Sequence, residues 1–176
     1  MNGISCRITA ILVLLAGLGG CSTDPSAGYS LQSQYKTGIK SVAVPVWTVG
    51  QDVYRRGVED RLTEALVKRI EMDTPYKVTT PARADTELTG TIKSIEQKVL
   101  SYVPATGGSR ELELTFRVSF TWKDLRTGEI LLDVADLRAA GAYSRTGPLE
   151  TDFYQGSEKV INELARRIVE HMEADW

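Results

Sequence analysis

Glu111-Leu112-Glu113-Leu114-Thr115-Phe116-Arg117-Val118-Ser119-Phe120-Thr121-Trp122 decides the fold. From Leu112 to Trp122 every second side chain is large and apolar, and every one between is polar or charged. Successive side chains of a strand point to opposite faces, so this period of two predicts a β-strand with one dry face and one wet face. A sheet that is wet on one side is antiparallel in character.

The reading extends outward in both directions. Asp124-Leu125-Arg126-Thr127-Gly128 is a turn sequence, and it returns the chain into a second strand from Glu129 to Tyr143. Upstream, Pro104 to Ser109 carries Thr106-Gly107-Gly108, another turn, preceded by a long β-prone segment from Thr86 to Tyr102. Its apolar phase changes near Ser94, which predicts a bulge there. Tyr76 to Thr80 reads as a short strand. Ile39 to Trp47 reads as a β-branched strand whose Pro45 cannot donate to a ladder, placing it at an edge or a bulge. Two segments have the other period. Val53 to Met72 sets Tyr54, Val58, Leu62, Ala65, Leu66 and Ile70 on one helical stripe, with Asp52 as N-cap and Thr74-Pro75 as the stop. Thr151 to Glu173 does the same with Phe153, Val160, Ile161, Leu164, Ile168 and Met172. Two amphipathic helices and a half-wet sheet predict an α+β fold: a two-layer sandwich, with a mainly antiparallel sheet of about four strands and both helices on one face.

The N-terminus has a different character. One charge at Arg7 precedes a short apolar run from Ile8 to Leu18, below the roughly 20 residues a spanning helix needs. Leu18-Gly19-Gly20-Cys21 then follows. A charged start, a short apolar stretch and small residues before a cut describe a secretory signal, and the cysteine placed after it resembles the lipobox of bacterial lipoproteins. The organisation expected is a signal peptide over 1–20, a lipidated tether over 21–38 and a single domain over 39–176. Cys21 is the expected lipidation site, carrying acyl chains such as palmitate. Each buried methylene contributes about 0.8 kcal/mol to such an anchor. Ser22, rather than Asp, follows the cysteine; by resemblance to envelope sorting rules this favours the outer membrane. Within the tether, Tyr29, Leu31 and Tyr35 are candidates to dock on the domain.

The chain has 21 Lys and Arg against 23 Asp and Glu, without a basic block, so a nucleic-acid partner is not expected. Its two cysteines are Cys6, inside the signal, and Cys21. No disulfide framework, thiolate metal site or cofactor site is expected. No nucleophile elbow, zinc-binding His-Glu-x-x-His or phosphate loop is present, and the chain is not expected to be an enzyme. The single histidine, His171, falls in the last turn of the second helix, where a cation complements the dipole. Three features have two readings each. The loop from Tyr102 to Arg110 is a binding loop or a connection. Arg117 and Lys123, on the wet face of the decisive strand, meet an anionic partner or merely face water. Gly90 admits a close neighbour or only a twist.

Several stretches resemble the LptE family of lipopolysaccharide-assembly lipoproteins: Ala27-Gly28-Tyr29-Ser30-Leu31 after the cysteine, Ile39-Lys40-Ser41-Val42-Ala43-Val44-Pro45, Arg56-Gly57-Val58-Glu59, and Ala84-Asp85-Thr86-Glu87-Leu88-Thr89-Gly90. Thr121-Trp122-Lys123-Asp124 and Ala165-Arg166-Arg167-Ile168-Val169 extend the resemblance through the C-terminal helix. It implies a non-enzymatic lipoprotein of a Gram-negative envelope, lipid-anchored on the periplasmic side of the outer membrane. Its partners would be lipopolysaccharide and the outer-membrane β-barrel LptD, which such proteins plug and help to assemble. Arg117 and Lys123 are then the tentative contacts to that partner or to the glycolipid. The alternative is an interaction module of another envelope machine, a peptidoglycan synthase activator or a curli-type secretion component, since those also open with a Val-Ala-Val-Pro-like strand and a helix.

Overall fold

The computed structural model describes residues 35–102, 109–144 and 149–173. The decisive segment is strand β5 (Ser109–Asp124), at the centre of a three-strand antiparallel meander with β4 (Thr86–Tyr102) and β6 (Ile130–Ser144). Every apolar position from Leu112 to Trp122 is buried, as the alternation requires. The expected bulge on β4 falls between Ile92 and Ser94. A second register shift lies nearby, where β6 slips between Val134 and Leu137 opposite Val118 and Phe120. Lys93 spans β5 to join the two irregularities, its ammonium donating to the Ala135 carbonyl at 2.7 Å.

The rest of the sheet departs from expectation. Among the described residues it has six strands and is mixed, not a four-strand, mainly antiparallel sheet. The run Ile39–Trp47 does not make one strand. β1 (Ser41–Ala43) stops short of Pro45, which has no N–H to donate, and β2 (Thr48–Val49) forms after it. Both run parallel to β4, and β3 (Lys77–Val78) runs parallel to β1. The order is β3-β1-β4-β5-β6, with β2 beside β4 further along. Helix α1 (Val58–Asp73) is the crossover between β1 and β3, and a helical crossover brings the chain back in the same direction.

Helix α1 begins at Val58, five residues later than its stripe suggests. Gly57 takes left-handed backbone at φ 78° as the N-cap and no side chain caps the helix, so Asp52 plays no such part. Tyr54, expected on the apolar stripe, is 89% exposed. At the other end Thr74 turns extended and its hydroxyl donates to the Ile70 carbonyl at 2.7 Å, the stop expected at Thr74-Pro75. Helix α2 (Leu149–His171) buries the expected stripe from Phe153 to Ile168, and Met172, just past its end, is buried too. Both helices contribute to one core with the dry side of the sheet. Each fully buried Leu, Ile or Phe there contributes about 1.5–3 kcal/mol. Trp47 closes the core beside β2. Its ring stacks on Phe120 at 6.3 Å and its backbone N–H donates to Thr63 of α1 at 3.0 Å.

Within the segment expected as a tether, Tyr35 packs edge-on to Tyr76 at 5.7 Å, and its hydroxyl donates to the Asp73 carbonyl at 3.0 Å. Cys21, Tyr29 and Leu31 lie outside the described residues.

Candidate functional surfaces

The wet face of the sheet is built by the residues that alternate with the core. Thr115, Arg117, Ser119 and Thr121 project from β5. Arg117 is not a free cation there. Its guanidinium grips Asp136 of β6 with two bonds, Nε to Oδ1 at 3.1 Å and Nη2 to Oδ2 at 3.2 Å, and Arg138 Nη2 donates to the same Oδ2 at 2.8 Å. The hydrogen bond from Arg117, then that from Arg138, holds the Asp136 carboxyl below its usual range. Two guanidinium groups share this carboxylate, and Glu96 adds a second negative charge close enough to act on Arg117, so the cluster is fixed and close to balanced. Lys123 lies near the C-terminal end of β5, across from Glu87, roughly 20 Å from the central Arg117 at about 3.3 Å per residue. The two sequence-selected cations share a strand but not a site.

Between them the sheet forms a depression of about 280 Å³, lined by Val46, Thr48, Thr91, Ser119, Thr121 and Asp133. Three of its hydroxyls are already engaged, Thr48 with Thr91 at 2.7 Å and Thr121 with Asp133 at 2.9 Å.

The Ala84–Gly90 string acquires a physical meaning. Asp85 is a staple: Oδ2 accepts from the backbone N–H of Lys40 at 2.9 Å and of Ser41 at 3.1 Å, and from the Ser41 hydroxyl at 3.1 Å. The Asp85 N–H donates back to Ser41 Oγ at 2.9 Å. These donors, led by the Lys40 N–H, lower the Asp85 carboxyl. Leu88 fills the core. At Gly90 a Cβ would lie 2.5 Å from the Trp47 ring, so the neighbour it admits is an indole. Asp124, at the following turn, accepts from the Arg126 side chain at 2.9 Å and from the N–H groups of Arg126 and Thr127, which holds its carboxyl at about 2. His171 meets the Arg167 carbonyl at 2.8 Å, one of the last-turn acceptors, with its ring edge-on to Phe120. These are fold-holding contacts.

Apolar side chains do reach the surface elsewhere. Leu100 and Tyr102 stand exposed at the far end of β4, and Val46, Tyr54 and Ile130 at other points around the sheet. Residues 103–108 of the loop read as a binding loop or a connection, and the side chain of Arg110, lie outside the described residues. Among the described residues no three His, Cys, Asp or Glu side chains converge as a metal site would require. No described helix is long and apolar enough to cross a membrane. What these surfaces offer is contact: exposed apolar side chains around hydroxyls and fixed ion pairs.

Comparison with known proteins adds to this geometry. The family model described as LptE, lipopolysaccharide-assembly, matches residues 39–175. A search of curated proteins found no match. Among solved structures, a minor lipoprotein from Acinetobacter baumannii aligns at 16% identity and a TM-score of 0.51, over 76% of this chain and 92% of that one. A hypothetical protein from Chlamydia trachomatis aligns at 13% and 0.50, over 76% and 95%. The rare lipoprotein B from Shewanella oneidensis aligns at 20% and 0.48, over 76% and 93%. At these identities the first two speak for the fold alone.

Proposed function

Because the chain belongs to the LptE lipopolysaccharide-assembly family, we propose that it is a non-enzymatic outer-membrane lipoprotein that plugs a large LptD-like β-barrel and assists its assembly for lipopolysaccharide delivery to the cell surface. The observation that carries this reading is the extent of the family match, which spans both helices and every strand. The surfaces support it. A plug works by contact, and exposed Leu100, Tyr102 and Tyr54 suit enclosure by a partner better than they suit water. Lipid attachment at Cys21 is supported by the sequence Leu18-Gly19-Gly20-Cys21, and it would hold the domain on the periplasmic side without a spanning helix. Arg117 and Lys123 remain proposed contacts. The cluster around Asp136 holds two guanidinium groups at a fixed place, and Lys123 offers a further cation near the end of β5.

Gentle membrane extraction through a C-terminal tag, followed by mass spectrometry, tests the proposal. Recovery of a large β-barrel in near-equal amount is the expected result, with Cys21→Ala releasing the protein from the membrane fraction. Recovery of a cell-wall synthase, or only of further copies of the chain, would remove the barrel assignment and leave the family fold serving another envelope machine.

A further inference from the structure

β6 ends the sheet, and among the described residues its outer edge has no partner strand. The edge has two unlike parts. From Asp133 to Arg138 it carries charged side chains and a bulge, the usual guards against unwanted pairing. From Ala139 to Ser144 it reads Ala-Ala-Gly-Ala-Tyr-Ser, with no charge and no register shift against β5. The Arg138 carbonyl accepts from Arg167 of α2 at 2.8 Å, so it points away from β5. In an antiparallel strand the N–H and C=O of alternate residues point to the same side. Ala140, Ala142 and Ser144 therefore turn theirs to the open edge.

Helix α2 runs alongside and makes the edge one wall of a trough. One depression, about 410 Å³, lies between Ala140 and Arg69, Lys159, Arg166 and Arg167. A second, about 200 Å³, lies between Ala142, Ser144 and Gln155. Lys159 lines both and joins them. The approach of the helix depends on two glycines: a Cβ on Gly141 would meet Val160 at 3.0 Å, and one on Gly156 would meet the Tyr143 ring at 2.5 Å. The larger depression is lined by four cations, of which three are already paired: Arg69 with Asp73, Arg166 with Glu163 and Glu170, and Arg167 with Glu163. Lys159 pairs with no described carboxylate.

We propose that the β6 edge and α2 form a strand-addition groove for an extended acidic segment of a partner protein, which pairs its backbone with Ala140, Ala142 and Ser144 and sets a carboxylate against Lys159. Main-chain bonds supply the affinity of such a groove, and the flanking side chains the selectivity. The inference does not depend on whether the principal partner is a barrel.

The test is to pan a random short-peptide display library against the full-length lipoprotein in detergent micelles. The enriched peptides are then synthesised and their binding measured by fluorescence anisotropy. Enrichment of acidic, proline-free, β-prone sequences is expected. Lys159→Glu, at an exposed helical position, should weaken the best peptide about tenfold, as should methylation of alternate peptide nitrogens. Ala142→Pro should do the same, with its thermal unfolding measured beside it to establish folding. The proposal fails if nothing is enriched, if basic or purely apolar peptides win, or if binding ignores both Lys159→Glu and N-methylation. Sedimentation that shows a dimer dissolved by Ala142→Pro would give the edge to a second copy of the chain, and would equally overturn it.

Discussion

Between Thr86 and Ile92, β4 has neighbours on both edges, β1 and then β2 on one side and β5 on the other. Trp47 and α1 cover the dry face there, and Leu88, Ile92, Phe120 and Trp122 are all buried. Past the bulge, from Glu96 to Tyr102, the same strand pairs only with β5, and Leu100 and Tyr102 meet solvent. One continuous strand thus serves two purposes. Its first half is paired on both edges and covered on its dry face, and its second half leaves backbone and apolar surface unspent. The division falls near the line of irregularities that Lys93 bridges.

The largest effect should come from emptying the enclosed half. Trp122→Ala removes a fully buried indole beside Tyr76 and should cost about 3–5 kcal/mol in a urea titration. Overfilling comes next. Gly90→Ala drives a methyl into the Trp47 ring and should cost about 1–3 kcal/mol, with Trp47 fluorescence shifting as the stack on Phe120 opens. Acid should loosen the same end. The Asp124 carboxyl sits at about 2 in the folded chain, against roughly 4 when unfolded. Its stabilisation is therefore fully present above about pH 4 and is lost as pH falls towards 2. Glu163, held at about 2 by Arg166 and Arg167, acts in the same direction on α2. Thermal unfolding followed from pH 5 to pH 2 should fall steeply in the wild type and more shallowly in Asp124→Asn. The smallest effect belongs to the open half: Leu100→Ala should change stability by less than about 0.5 kcal/mol. A loss comparable to that of Trp122→Ala would erase the distinction between the halves.

The sequence revealed patterns that repeat and concealed those that do not. Six alternating apolar residues fixed both faces of β5, and the phase slip at Ser94 located a bulge, because each is a local period. β1 to β3 have only two or three residues apiece, too few to show any period, and their parallel direction follows from a crossover in space. The start of α1 was misplaced because Asp52 and Tyr54 continue its pattern, while the backbone turn at Gly57 leaves no mark beyond one glycine. Arg117 was correctly assigned to the wet face. Its clamp on Asp136 was not legible, since it depends on a β6 bulge between Val134 and Leu137 that no glycine or proline there announces. The trough beside β6 was invisible for the same reason: its walls come from backbone direction and from two glycines seated against side chains distant in sequence.

The staple at Asp85 also bears on the order of events as the chain folds. β4, β5 and β6 pair through short connections, whereas Ser41 must find Asp85 at a separation of 44 positions along the chain, after α1 and β3 have been made. Closing that loop costs entropy before any contact rewards it. We expect the meander to form early and β1 to dock late. Ser41→Ala should then speed unfolding while leaving the refolding rate nearly unchanged in stopped-flow denaturant jumps. Equal slowing of refolding would place the staple in the rate-limiting step. With late docking, a nascent chain holds the paired strands before it seals their inner edge, and for that interval the first half of β4 is as open as the second.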